Sequence, residues 1–218
     1  MIKDRLSRRH LLLGMGSRWA EGVAFNTWAV FVISYGTGTL HLGRQPILLS
    51  VMAAAATMVF FIPVFGRLAD RVDRRRLYTM GIVLLAAATH PALVLLGTGN
   101  TFVIVVTIVL VLGVVYPIVY APEASLFAEL FPTRVRYTGI SVVYQLSGIV
   151  ASGLTPLILA YLLRSAGGEI SLIIGYVVVV SVISAVCTLA MRKRDMYTER
   201  VDDQAHDAAH HVLRESVQ

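Results

Sequence analysis

The sequence predicts an all-α membrane protein with six transmembrane helices and both ends in the cytoplasm. Hydrophobic residues make up 56% of the chain and charged residues only 15%, and the mean hydropathy is +0.72. Such values lie outside the usual range of soluble domains. The apolar residues also form long stretches without charge, separated by short basic clusters. This pattern indicates a chain that lies in lipid.

Five charge-free stretches define the helices in order. They cover residues 22–43, 45–66, 77–122, 137–163 and 170–191. A helix of about 20 residues crosses the bilayer core, so the third stretch is long enough for two crossings, with a Gly- and Asn-containing turn at 97–100. The predicted spans are about 20–40, 46–66, 77–96, 101–122, 138–163 and 171–191. A basic cytoplasmic lead-in at 1–17, a bundle at 18–191 and a cytoplasmic tail at 192–218 complete the domain organisation.

The basic residues predict the orientation. All Lys and Arg residues except Arg44 and Arg164 lie near the two ends of the chain or in the loops at 67–76 and 134–136. Cytoplasmic loops of membrane proteins are enriched in these residues, so both ends are expected in the cytoplasm. The net charge of +6 then faces anionic lipid headgroups, and no nucleic-acid partner is needed to explain it.

The reactive side chains do not predict an enzyme. Cys187 is the single cysteine and lies in the last apolar stretch without an activating charge beside it. The sequence shows no nucleophile with a plausible base and no metal-ligand spacing, so neither a cofactor nor a metal site is expected. A six-helix membrane enzyme or a channel-like homo-oligomer remains an alternative class.

A short motif between the second and third spans carries a family resemblance. Residues 66–76 read GRLADRVDRRR, which resembles the cytoplasmic loop signature of the major facilitator superfamily. Asp73 stands where that family usually has a second Gly. In physical terms, Gly66 permits a close helix approach, and a carboxylate in such a loop can pair with Arg or with a helix N-terminus. The resemblance implies a cytoplasmic gating loop formed by Gly66, Asp70, Arg71, Arg74 and Arg75, although a solvated basic loop that only sets topology remains open.

A second stretch narrows the resemblance. Residues 122–139 read PEASLFAELFPTRVRYTG and are similar to the segment between helices ten and eleven of the metabolite:H+ symporter branch. The position implies that the six spans correspond to the C-terminal half of a twelve-helix carrier. Candidate partners of the gating loop in this region are Glu123, Glu129, Arg134 and Arg136.

Polar residues at helical spacing indicate the faces that border a cavity. One stripe of the fifth span is polar, although its small residues equally suit tight helix packing. In the first span, Glu21 lies three residues after Arg18, so it either pairs with that Arg or takes up a proton. The third and sixth spans are nearly uniformly apolar and are expected to be lipid-facing scaffold. The candidate cavity-lining residues are Glu21, Asn26, Trp28, Tyr35, Tyr116, Tyr120, Ser141, Tyr144 and Gln145.

The resemblance implies a function for the whole chain. It implies that the chain is half of a secondary transporter that moves a small polar or charged metabolite, together with protons, by alternating access. Such a chain is expected in a bacterial plasma or inner membrane, with a second six-helix half as its partner, either a separate chain or a second copy. The competing expectation is an inactive remnant of a transporter.

Overall fold

The computed structural model describes residues 5–191 and 196–197, with backbone alone for residues 5–7. The described chain is helical apart from short connections, so the all-α prediction is confirmed. The continuous helices, numbered 1 to 6, cover residues 5–38, Arg44–Arg71, Arg74–Leu96, Thr101–Ala128, Arg136–Ser165 and Ser171–Ala190.

Helices 1, 4 and 5 each contain a π-helical segment between two α-helical parts. The α-helical parts are Arg5–Phe25 and Val32–Gly38, Thr101–Ile108 and Tyr116–Ala128, and Arg136–Gly148 and Thr155–Ser165, and the π-helical segments are Asn26–Phe31, Val109–Val115 and Ile149–Leu154. Pro117 and Pro156 lie in the first turn after two of these segments. Proline has no N–H and collides with the carbonyl four residues before it in a regular α-helix, so a wider π turn accommodates it.

Helices 2 to 6 are long and apolar enough to cross a membrane. Helix 1, which contains the span predicted at 20–40, is not in that group because Arg18, Glu21 and Asn26 lower its mean hydropathy. The sixth crossing and the cytoplasmic position of both ends therefore stay predictions.

Helix 1 begins well before the predicted first span. Residues 5–17, from the predicted lead-in, continue without a break into the rest of the helix. His10 and Ser17 are buried, and a Cβ at Gly16 would lie 2.5 Å from Cys187 Sγ, so this part packs closely inside the bundle. Small side chains permit such close packing of helices. The predicted tail at 192–218 lies outside the described residues except for Met196 and Tyr197.

The helices pack around one main apolar core. Helix 1 contacts helices 5 and 6, helix 2 contacts helix 4, and helix 3 contacts helices 4 and 6. The outer surface carries large apolar side chains such as Phe60, which is 78% exposed. Helices 3 and 6 expose Val83 and Val179 outward and pack on helix 1 or helix 4 with their other faces. An apolar outer surface suits a protein whose solvent is lipid.

The predicted gating loop is shorter in the structure than in the sequence analysis. Helix 2 ends at Arg71 and helix 3 begins at Arg74, so only Val72 and Asp73 connect them. The Asp73 carboxylate accepts hydrogen bonds from the backbone N–H groups of Arg75 at 3.0 Å and Arg76 at 3.3 Å. Asp73 therefore acts as the N-cap of helix 3, which accounts physically for its place in the motif.

Candidate functional site

A buried ion cluster lies between helices 1, 4 and 5. Arg18 donates from Nε to Glu123 Oε1 at 3.2 Å and from a terminal nitrogen to Ser147 Oγ at 3.2 Å. Its second terminal nitrogen lies 3.5 Å from Glu21 Oε2. The guanidinium also lies 4.4 Å from the centre of the Tyr144 ring, within the range of a cation–π interaction. One cation therefore joins three helices.

The two carboxyl groups of the cluster are withdrawn from solvent. Glu21 is 4% exposed and Glu123 is 1% exposed. The Tyr116 hydroxyl donates to Glu21 Oε1, whereas Oε2 of both glutamates accepts no hydrogen bond from the described residues. Two ionised carboxylates around one guanidinium leave the cluster with a net charge of −1. A buried charge that is incompletely hydrogen-bonded is costly, which is typical of a functional rather than a stabilising arrangement.

An open pocket of about 500 Å³ borders this cluster. Helices 1, 2, 4 and 5 line it, and two of its residues, Arg18 and Glu21, also belong to the ion cluster. The lining residues are Arg18, Glu21, Phe25, Asn26, Met58, Ile62, Tyr116, Tyr120 and Ser152. Helices 1, 4 and 5 are also the three that contain a π-helical segment, a feature that is frequent at functional sites.

Helices 3 and 6 hold the turn of helix 1 that carries Arg18. The Ser184 hydroxyl accepts from the Ala20 N–H and donates to the Gly16 carbonyl, both at 2.8 Å. Ser17 hydrogen-bonds to Thr188 at 2.6 Å. The predicted scaffold helices thus also position the ion cluster.

A third contact comes from helix 3, where the Tyr78 hydroxyl donates to the Ser17 carbonyl at 3.1 Å. Tyr78 is fully buried. Neither Tyr78 nor the serines of helix 6 were among the residues singled out from the sequence, because their partners lie far away along the chain. Only the matched spacing of Ser184 and Thr188 on one face of helix 6 is visible as a signal in the sequence.

The structure brings together some of the predicted cavity residues. Glu21, Asn26, Tyr116 and Tyr120 line the pocket, and Tyr144 lies against Arg18. Tyr120 stacks on Tyr116 with ring centres 5.7 Å apart.

Other predicted cavity residues lie elsewhere. Trp28 and Tyr35 are buried in the apolar core, where Tyr35 stacks on Phe31. Ser141 is half-buried and Gln145 is exposed, and neither lines the pocket. Trp28 and Tyr35 share one helix face with Glu21, but the helical pattern alone does not separate a core-facing residue from a cavity-facing one.

Glu123 was predicted as a partner of the gating loop and lies instead in the buried ion cluster. Glu129 takes the position beside the predicted loop, because Arg74 bonds to both Glu129 and Asp70, the latter at 2.8 Å. Arg71 is exposed, and Arg75 donates to the carbonyl of Met191 at the end of helix 6. These contacts tie helices 2, 3, 4 and 6 together at one end of the bundle.

The other residues predicted for the gating loop and its partners, Gly66, Arg134 and Arg136, make no contact between helices like those of Arg74 and Arg75 among the residues that the structure describes. A Cβ at Gly66 would meet nothing within 4 Å, so the expected close helix approach is absent at this position in the described chain. Arg134 is exposed, and Arg136 donates to the Phe131 carbonyl at 3.3 Å, within its own connection. Over residues 5–191 and 196–197, no three His, Cys, Asp or Glu side chains form a group that could hold a metal ion.

Gly22 offers a test of how closely helices 1 and 5 approach beside the pocket. A Cβ at Gly22 would lie 2.7 Å from Ala151 Cβ and 3.2 Å from its carbonyl carbon. We expect Gly22→Val to lower the free energy of unfolding in detergent by about 1–3 kcal/mol, because the helices must separate. Gly66→Ala is the matched control and should be neutral or slightly stabilising. Equal thermal stability of both variants and the parent chain would contradict the close approach.

The comparisons with known proteins identify one family of transporters. The profile of the Major Facilitator Superfamily matches residues 11–216. The chain is 29% identical to a proline/betaine transporter of Salmonella typhimurium over 85% of its own length and 36% of the relative. It is 29% identical to a shikimate transporter of Escherichia coli, over 74% of the chain and 37% of the relative. A citrate-proton symporter of Klebsiella pneumoniae is 30% identical, over 68% of the chain and 33% of the relative. The chain thus spans about a third of the length of these relatives, and no solved structure matches it.

Proposed function

The chain belongs to the Major Facilitator Superfamily, and we propose that it forms the C-terminal six-helix half of a proton-coupled symporter. Its relatives are membrane transporters rather than enzymes, and one of them is named as a proton symporter. The cargo we propose is a small polar or charged metabolite, in keeping with the proline, betaine, shikimate and citrate in the relatives' names.

The observation that carries this proposal is the buried cluster of Arg18, Glu21 and Glu123 beside the pocket. A cluster with two carboxyls and one guanidinium changes its net charge from −1 to 0 when it binds one proton. A proton and a substrate that bind next to each other can influence each other's affinity through this change of charge. Ionisable residues are costly inside a membrane, and those that occur there line the ion pathways of membrane proteins.

The orientation follows from the basic residues. We propose that helix 1 is the sixth membrane crossing and that both ends of the chain are cytoplasmic, which places the Asp70, Arg74 and Glu129 contacts on the cytoplasmic side. The Arg74 and Arg75 bonds at this end would then hold the cytoplasmic side of the bundle in one conformation and separate during alternating access. The relatives named as Escherichia coli proteins support a bacterial inner-membrane location.

The proposed mechanism requires a second bundle. The pocket is open, and alternating access in transporters with repeats moves one bundle against another around a central site. We propose that a second six-helix unit, from further sequence, a separate chain or a second copy, closes the pocket.

Reconstitution tests the proposal. The chain is inserted into liposomes alone, and together with the N-terminal six-helix half of the Salmonella proline/betaine transporter, and uptake of labelled proline, shikimate and citrate is measured with and without an inward proton gradient. We expect saturable, gradient-dependent uptake of at least one compound with the combined halves only. Uptake by the chain alone would remove the need for a second half of different sequence, and equal uptake without the gradient would contradict proton coupling.

A further inference from the structure

We propose that the pocket binds the ammonium group of a small zwitterion through the Glu21 carboxylate and an adjoining wall of aromatic rings. This inference rests on the proposed function, because it names the class of substrate for the same site. Three features of the pocket carry it: the ring wall, the unused hydrogen-bonding capacity of Glu21 and the net charge of the ion cluster.

The ring wall consists of Phe25, Tyr116 and Tyr120, which all line the pocket. The ring centres of Phe25 and Tyr116 are 5.8 Å apart, and those of Tyr116 and Tyr120 are 5.7 Å apart. Phe25 is 41% exposed and Tyr120 is 45% exposed, so the rest of the chain leaves both residues partly uncovered. The faces of aromatic rings attract cations, and alkylated ammonium groups are the ligands that such walls recognise.

Glu21 supplies a negative charge beside this wall. Its Oε1 accepts from the Tyr116 hydroxyl, and its Oε2 lies 3.5 Å from Arg18 without accepting a hydrogen bond from any described residue. A carboxylate has about four acceptor positions, so this buried carboxylate has capacity for a further donor or cation. The Tyr116 side chain joins the two parts of the site because it belongs to the ring wall and also orients Glu21.

The charge of the cluster distinguishes a zwitterion from a simple anion. The charged residues that line the pocket are Arg18 and Glu21, and Arg18 also donates to Glu123. With one proton on Glu123, the cluster is neutral while Glu21 stays ionised. A zwitterion then adds no net charge, whereas an anion without an ammonium group brings a second negative charge next to Glu21, in a region where water screens charges poorly.

Neutral donors are present for the other end of a zwitterion. Asn26 and Ser152 line the same pocket. The Asn26 amide nitrogen donates one hydrogen to the Gly22 carbonyl at 2.8 Å and has a second hydrogen to offer. The two residues can therefore bind a substrate carboxylate without an additional cation.

Two probes of equal shape test the proposal. Trimethylglycine carries a trimethylammonium group, and 3,3-dimethylbutanoate replaces its nitrogen with carbon and so removes only the positive charge. Binding of both to the purified full chain in detergent is measured by isothermal titration calorimetry. We expect trimethylglycine to bind at least about tenfold more tightly. Equal affinities, or no saturable trimethylglycine binding up to about 10 mM, would overturn the proposal.

Substitutions locate the binding. Glu21→Gln should weaken trimethylglycine binding about tenfold and Tyr120→Leu severalfold, without changing the affinity for 3,3-dimethylbutanoate. Tyr161→Leu, at a residue that is 70% exposed and does not line the pocket, is the control. Tyr120 is partly exposed, so its variant remains informative if Glu21→Gln does not fold. Unchanged trimethylglycine binding in Tyr120→Leu would overturn the role of the ring wall.

The two proposals fail separately. Proton-driven uptake of shikimate but not of trimethylglycine by the combined halves would overturn the zwitterion site and leave the transport function intact. Selective trimethylglycine binding without any proton-driven uptake would contradict the transport function and leave the zwitterion site intact.

Discussion

Replacing Arg18 with Met is expected to lower the free energy of unfolding by about 3–5 kcal/mol and to abolish transport. Arg18 is the cation that lies between the buried carboxyls of Glu21 and Glu123. Without it, both carboxyls remain buried with no positive charge beside them. The hydrogen bond to Ser147 and the contact with the Tyr144 ring are lost as well, so helix 1 loses the links that Arg18 makes to helices 4 and 5.

Thermal and denaturant unfolding of the purified chain in detergent measures this cost. Arg134→Met is the matched control because Arg134 is exposed, and its effect should stay within about 0.5 kcal/mol. Adding Glu123→Gln and Glu21→Gln to the Arg18 variant should restore a large part of the stability, since no buried charge is then left unpaired. Transport should not recover in that triple variant. An Arg18→Met chain as stable as the parent would show that the cluster is not assembled.

Glu123→Gln is expected to uncouple transport from protons in the combined halves. Glutamine keeps the size of the side chain and can still accept a hydrogen bond from Arg18 Nε, but it binds no proton. The cluster of the variant then has a net charge of 0 at all times, as the parent cluster has only when it carries a proton. Because the charge no longer changes, a proton gradient cannot drive the transport cycle. We expect uptake against a gradient to disappear, while exchange of labelled for unlabelled substrate continues.

Parallel assays of gradient-driven uptake and exchange in proteoliposomes check this result. Glu169→Gln is the control: it also removes one carboxylate, but from an exposed residue in the connection between helices 5 and 6, away from the ion cluster. That variant should still accumulate substrate when a proton gradient is imposed. Gradient-driven accumulation by Glu123→Gln would place the exchangeable proton elsewhere.

The helices themselves were largely predictable. Charge-free stretches and the Gly-containing turns between them follow directly from the cost of exposing polar groups to lipid. Asn100, for example, is the last residue of the turn at 97–100 and caps helix 4 by accepting hydrogen bonds from the backbone N–H groups of Phe102 and Val103. Helix 1 was the difficult element, because its polar residues are needed inside the bundle and weaken the signal for a membrane span. Its continuation from Arg5 is decided by packing against helices 5 and 6, which leaves no mark in a hydropathy pattern.

The site was only partly predictable. Arg18 and Glu21 are three residues apart on one helix, so their pairing follows from helical geometry alone. Glu123 is far from them in the chain, and its position just after a predicted span led to its prediction as a partner of the gating loop. The packing of helix 4 on helix 1 instead brings Glu123 to Arg18. Trp28 was predicted to line the cavity because it shares a helix face with Glu21, but it lies in the apolar core.

By itself, the sequence determined that this chain is a helical membrane protein of the transporter type, because hydropathy, loop charge and loop motifs are local properties of the chain. The membership of the superfamily was likewise visible in residues 66–76 and 122–139. Only the tertiary structure decided which polar residues meet. The ion cluster, the ring wall and the Ser184 contact each join helices that are distant in the sequence. Helix periodicity defines a face but not the neighbour that covers it, and that neighbour determines whether a carboxylate is solvated or buried beside a cation.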